Sequence, residues 1–211
     1  MAPPLSPSLS PVLPPLLPTL TFSAELLLRA QGVRVAFFDV DGVLTDGGLY
    51  FSEHAPQQGT STTGQLYAAG ETIKRFNTLD GHGIKLLQKT GITPVIITGR
   101  DSVPLRARLH ALGIEHAHFG TEDKRPAAEH TLSALGLDWT QAAAMGDDWP
   151  DLPVMRRAAF ACAPAHAHAE VNALAHYVTQ AAGGHGAARE FCDLLLVASG
   201  RYASLLADYA S

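Results

Sequence analysis

The sequence predicts an α/β fold, a doubly wound and mostly parallel sheet with helices on both faces. Apolar runs rich in β-formers (VRVAFFDV, TPVIITGR and QAAAMGDD) each run into glycine or aspartate. Segments of helical periodicity separate them, the alternation that a parallel sheet requires. The 211 residues suit one domain with a substantial core.

The chain starts with MAPPLSPSLSPVLPPLLPTL, which holds seven of the 14 prolines and no charged side chain. These prolines interrupt any continuous apolar segment of the kind a secretory leader needs. Residues 1–22 are therefore expected to be a flexible, polyproline-like arm, with one domain over 23–211. In SAELLLRA, Ser23 is placed to cap a short helix. VRVAFFDV follows as a central strand, apolar on both faces.

Residues 49–76 interrupt the alternation. LYF and TIKRF flank a polar, glycine-rich middle, the pattern of a β-hairpin insertion with a long tip. GIKLLQKTG then reads as a helix stopped by Gly91. Strands are expected at TPVIITGR, IEHAHFG, QAAAMGDD, AAFACA and AHYVTQ, and helices over 102–112, 124–135 and 151–157. The tail from Ala187 to Tyr209 reads as helical with a break near Gly200.

Composition narrows the function. Hydrophobic residues make up 46% and charged residues 17%, typical of a globular chain. A net charge of −5 argues against nucleic acid and anionic membrane surfaces as partners. No window stays apolar long enough for membrane insertion. Cys162 and Cys192 form no C-x-x-C pair, so a reducing, cytoplasmic setting is expected.

In such sheets, ligands bind beyond the carboxyl ends of the strands. Asp39 and Asp41 lie there two residues apart and so share a face. Thr98 ends the next strand run, Lys124 opens a helix, and Gly146-Asp147-Asp148 with Asp151 ends another. Taken singly, each piece reads as a turn or a solvated side chain, and the lysine stands at the less favoured end of its helix. Together, the aspartates offer hard oxygen ligands suited to Mg²⁺. A carboxylate beside a divalent cation and a lysine can attack phosphorus, and a second can shuttle the proton.

The order of apolar run–DxDG, apolar run–TG, Lys and GDDxxD resembles the haloacid dehalogenase-like phosphohydrolases. That likeness implies a Rossmann-like fold, with Asp39 as nucleophile and metal ligand. It implies Asp41 as general acid/base, bound to the metal through its backbone carbonyl, and Asp147 as the remaining ligand. Thr98 and Lys124 would hold the phosphoryl group, while Asp148 and Asp151 would orient the metal's waters or Lys124. An aspartate at position 41 favours a phosphatase, because dehalogenation needs no leaving-group acid.

DVDGVLTDGGLYF, VIITGR, AAAMGDDWPDLPVM and GGHGAAREFCDLLL extend the resemblance from Ser23 to Ser199. They are similar to the capless branch typified by 3-deoxy-D-manno-octulosonate 8-phosphate phosphatase, where a hairpin stands in for the cap domain. The resemblance implies a Mg²⁺-dependent homotetramer acting on a small sugar-acid phosphate of lipopolysaccharide core synthesis. It also implies substrate contacts from Asp41, Lys124, Arg100, Arg108, Lys85 and the segment Asn77, Thr78, Leu79, Asp80 and Gly81. Three positions depart from the branch pattern and bear on substrate choice: Leu79 and Lys85 replace arginines, and His185 stands in a GGRG motif.

Two rival readings remain at this point. One is a phosphatase of another, nine-carbon ulosonic acid phosphate, or a loose sugar-phosphate hydrolase. The other is a non-catalytic oligomerising module, against which the full set of aspartates speaks. His166, His168, Trp139 and Trp149 read as surface or packing residues, and both cysteines as core. Arg106 reads as part of a solvated helix face.

Overall fold

The computed structural model describes residues 16–51 and 71–210. The central strands are β1 (Val35–Phe38), β4 (Thr93–Ile97), β5 (His116–His118), β6 (Ala142–Met145), β7 (Phe160–Ala163) and β8 (Tyr177–Val178). They form one sheet in the order β5-β4-β1-β6-β7-β8, with every neighbouring pair parallel. Strand β1 lies between β4 and β6, with Phe38 opposite both Ile96 and Met145. The segments that leave these three strands therefore emerge side by side.

Alternation along β1 divides the core. Ala36 and Phe38 face a cluster with Ile84, Ile96, Phe160, Phe191 and Leu195. Val35 and Phe37 face a second cluster with Val95, Ala128, Leu132, Val154 and Met155. Helices α1 (Ala24–Ala30), α2 (Thr78–Lys89), α3 (Val103–Leu112) and α7 (Ala187–Ala198) cover the first face. Helices α4 (Lys124–Leu135) and α5 (Leu152–Met155) cover the second. The parallel sheet is thus wound on both faces, as its alternating pattern predicts.

Helix α2 starts five residues earlier than its glycines suggest. Asn77 caps it by accepting the Leu79 N–H at 2.8 Å, and Asp80 sits favourably in its first turn. The glycines serve packing. A Cβ on Gly83 would come within 3.0 Å of Arg189 and Cys192, so glycine lets α2 lie close against α7.

Other boundaries shift as well. The expected helix 151–157 is a 3₁₀ turn, Trp149–Asp151, followed by α5 alone. A short helix α6 (Ala169–Leu174) appears where none was expected. The tail breaks at Gly200, with α8 at Tyr202–Ala210.

Strands β2 (Tyr50–Phe51) and β3 (Glu71–Ile73) pair antiparallel as the base of the hairpin. Its expected tip, and the proline-rich stretch 1–15, lie outside the described residues. The arm meets the domain at Phe22, whose ring packs edge-on against Tyr177 at 5.9 Å.

Candidate active site

The carboxyl ends of β1, β4 and β6 carry the site. Strand pairing continues one residue past β1, as the Asp39 N–H donates to the Met145 carbonyl at 3.1 Å. The chain then turns sharply, and the N–H groups of Val43, Leu44 and Thr45 all donate to the Val40 carbonyl. Gly42 makes the turn possible with φ of +85°. A Cβ there would stand 2.0 Å from Asp147 Oδ2, so the backbone at Gly42 lies against that carboxylate. Gly183 closes the far side, where a Cβ would fall 1.8 Å from the Gly42 carbonyl oxygen.

Lys124, the first residue of α4, is buried and reaches the end of β1. Its Nζ lies 2.6 Å from Asp39 Oδ1 and 2.7 Å from Asp151 Oδ1. Asp151 uses its other oxygen, Oδ2, to accept the N–H groups of Asp147 at 3.0 Å and Asp148 at 3.3 Å. It thereby braces both the lysine and the Gly146–Asp148 turn. A Cβ on Gly146 would meet Asp151 at 2.2 Å, so this brace needs glycine there. An ammonium at a helix N-terminus is disfavoured, and the two carboxylates offset that cost.

Oxygen atoms of Asp39, Asp147 and Asp151 lie within 4.8 Å of one another. One lysine does not neutralise three carboxylates. Burial, and then repulsion from Asp151, raises the Asp39 pKa to about 7. Burial, and then repulsion from Asp39 and Asp151, also raises that of Asp147 to about 7. Burial alone would depress Lys124, but Asp151 and Asp39 outweigh it and its pKa rises. The donor set is hard, anionic and short of positive charge, which fits a small divalent cation. Asp39 and Asp147 are the natural ligands, because both oxygens of Asp151 already have partners.

The Asp41 side chain points elsewhere. Its Oδ1 accepts Lys74 Nζ at 2.5 Å, and its Oδ2 lies 3.7 Å from Arg100 Nε. Its carboxylate is thus outside the acidic trio and flanked by two cations. Thr98 is fully buried, and its hydroxyl accepts the Arg100 N–H at 3.2 Å.

Several expected substrate contacts have other partners. Asp80 is buried and accepts the N–H groups of Gly186 at 3.3 Å and Arg189 at 2.8 Å, tying α2 to the start of α7. Arg108 donates to the Asn77 carbonyl at 3.1 Å and leans over Phe76. It also occupies the space beside Gly81, where a Cβ would meet its Nη2 at 2.1 Å. Asn77 caps α2, whereas Thr78, Leu79 and Lys85 are exposed along that helix. Asp148 caps the 3₁₀ turn through the Trp149 N–H at 2.8 Å and does not orient Lys124.

Arg106 does not lie on a solvated face. It forms a bidentate pair with Asp101 at 2.7 Å and lies over Phe119.

Lys74 escaped the sequence reading. It follows β3 in the hairpin, its side chain is 1% exposed, and its partner Asp41 lies far away in the chain. The only local signal was a lysine inside a short β-like run.

With this geometry in hand, likeness to known proteins carries weight. A family profile for haloacid dehalogenase-like hydrolases matches residues 120–191. The chain is 38% identical over 179 residues to 3-deoxy-D-manno-octulosonate 8-phosphate phosphatase KdsC of Escherichia coli, covering 85% of this chain and 87% of that protein. The crystal structure of a probable YrbI family phosphatase from Pseudomonas syringae superposes with a TM-score of 0.79 at 44% identity, covering 90% of this chain and 99% of that one. A 3-deoxy-D-manno-octulosonate 8-phosphate phosphatase from Moraxella catarrhalis, solved with magnesium, phosphate and KDO, superposes with a TM-score of 0.74. It is 32% identical, over 88% of this chain and 98% of its own.

Proposed function

Because the chain belongs to the haloacid dehalogenase-like hydrolases, in the family of 3-deoxy-D-manno-octulosonate 8-phosphate phosphatases, we propose that it releases phosphate from that sugar acid's 8-phosphate. The observation that carries this reading is the convergence of Asp39 and Asp147, at adjacent strand ends, with Lys124 from the start of α4, where Asp151 braces the lysine.

Asp39 attacks phosphorus through the oxygen that Lys124 leaves free, forming an aspartyl-phosphate and breaking the bond to the sugar oxygen. Asp41 gives a proton to that departing alkoxide. It then takes one from the water that hydrolyses the intermediate. Lys124 and the Thr98 hydroxyl balance charge on the phosphoryl oxygens, and Arg100 at the rim suits the substrate carboxylate. Asp39 and Asp147 would hold Mg²⁺, with the Asp41 carbonyl beside them. Bound there, the ion supplies charge neutralisation at the phosphoryl group.

The hairpin base carries exposed Leu49, Tyr50 and Ile73. These apolar side chains fit a homotetramer in which hairpins pack together, and light scattering on the purified chain tests it. Two free buried cysteines fit a cytoplasmic setting.

Turnover of a panel of phosphomonoesters with Mg²⁺ tests the function. The octulosonate 8-phosphate should lead, with nine-carbon ulosonate and hexose phosphates behind. Asp39→Asn should abolish phosphate release while the protein still folds. Equal turnover of hexose phosphates would reject the substrate assignment, and an active Asp39→Asn would reject the mechanism.

A further inference from the structure

The base of the hairpin reaches into the site through Lys74. Lys74 is buried, with its Nζ 2.5 Å from Asp41 Oδ1, while Arg100 Nε stands 3.7 Å from Oδ2. The two oxygens of Asp41 are therefore not equivalent. Oδ1 is held by a short, water-shielded, charge-assisted contact, the stronger kind of hydrogen bond. Among the described residues, Oδ2 has only a loose, half-exposed guanidinium nearby, which leaves it available to a substrate. A carboxylate on a short side chain within a glycine-bearing turn has several staggered orientations open to it. An ammonium on one oxygen selects a single one of them.

We propose that Lys74 is a positioning residue that clamps Asp41 so that Oδ2 alone faces the leaving oxygen. This rests on the general acid/base role given to Asp41 above. The proton that leaves with the sugar alkoxide comes from Oδ2, and the proton taken from the attacking water returns to it. Oδ1 stays bound to Lys74 throughout. The base of the hairpin is then part of the catalytic geometry, because β3 sets where the ammonium sits. No local feature of the DxD turn supplies this restraint: Val43, Leu44 and Thr45 all bind the Val40 carbonyl and leave the Asp41 carboxylate to its long-range partners.

The test compares leaving groups in the full chain with Mg²⁺. An alkyl ester, the octulosonate 8-phosphate, needs a proton on its departing oxygen, whereas p-nitrophenyl phosphate departs without one. First-turnover rates for release of the alcohol isolate that step. Lys74→Met should slow the alkyl ester by about 10- to 100-fold, within the range that general acid catalysis supplies. The aryl ester should slow by less than about 3-fold, and KM for the alkyl ester should stay within a similar factor. Lys74→Arg should recover part of the alkyl rate. In an Asp41→Asn background, Lys74→Met should cost nothing further, since coupled residues are not additive.

Equal losses on both esters, or full additivity with Asp41→Asn, would overturn the clamp and leave Lys74 a packing residue. A wild-type protein inert on both esters would instead reject the phosphatase reading itself, and the clamp with it. Should Lys74→Met fail to fold, Lys74→Gln, which removes the charge and retains a donor, is read by the same ratio.

Discussion

Replacing Asp147 with asparagine should make the metal-free protein more stable while destroying its proposed activity. Asp147 shares its surroundings with Asp39 and Asp151 and, among the described residues, has only Lys124 for relief. Burial and repulsion raise its pKa from 3.8 to about 7. A unit of pKa corresponds to about 1.4 kcal/mol, so a charged Asp147 costs the fold about 4 kcal/mol at most. Asp147 is only partly buried, and Asp39 would relax when its neighbour lost charge. The net gain on Asp147→Asn should therefore be on the order of 1–2 kcal/mol, or roughly 2–8 °C in Tm for a chain of this size.

The sign follows from linkage. The unfolded carboxyl ionises near 3.8, but the folded one holds its proton until about 7. Its penalty grows from pH 4 to pH 7 and is complete above that. The gain should be greatest at pH 8 in EDTA and should shrink as the pH falls towards 4. Thermal denaturation of both proteins across that range measures it. Adding Mg²⁺ should reverse the order, because a ligand at 100 times its Kd stabilises by about 2.7 kcal/mol and the variant has lost a ligand. An Asp147→Asn protein no more stable than wild type in EDTA at pH 8 would refute the reasoning.

Two further predictions concern residues away from the trio. Gly183→Ala should shift the Gly42 turn, because the added Cβ would lie 1.8 Å from the Gly42 carbonyl oxygen. A loss of about 1–3 kcal/mol in urea unfolding, with impaired phosphatase turnover, is expected. His176 Nδ1 accepts the Ala161 N–H at 2.9 Å, and burial, then Arg29, lowers its pKa. The unfolded chain gains that proton first, so stability should fall as the pH drops below about 6.5 and level off at the lower folded pKa. Comparing Tm between pH 7.5 and 5.5 checks this, and His176→Asn, which can keep an acceptor, should have a shallower slope.

What the sequence made legible follows from how local each signal is. Strands β1, β4 and β6 were readable because parallel strands buried on both faces are continuous apolar runs. Asp39, Lys124 and Asp147 were readable through their order at the ends of those runs and through family likeness. Helix α2 began earlier than expected because Gly81 and Gly83 look like breakers, whereas the close approaches of Arg108, Arg189 and Cys192 require them. Asp80 resembled a substrate contact, yet α7 claims both its oxygens, a pairing across more than a hundred residues. Lys74 gave no local sign beyond a lysine in a short β-like run, because its meaning depends on Asp41. Local pattern reveals elements and turn chemistry, while side-chain partners in this chain are set by the sheet order that brings distant segments together.

The contact between Gly183 and the turn at Gly42 constrains the order of assembly. A ribosome delivers residue 42 long before residue 183, and Lys124 long after Asp39. A growing chain therefore carries its acidic turn unbraced until most of the polypeptide has emerged. The complete arrangement, with Gly183 against the Gly42 turn, is open only to a chain that already includes residue 183.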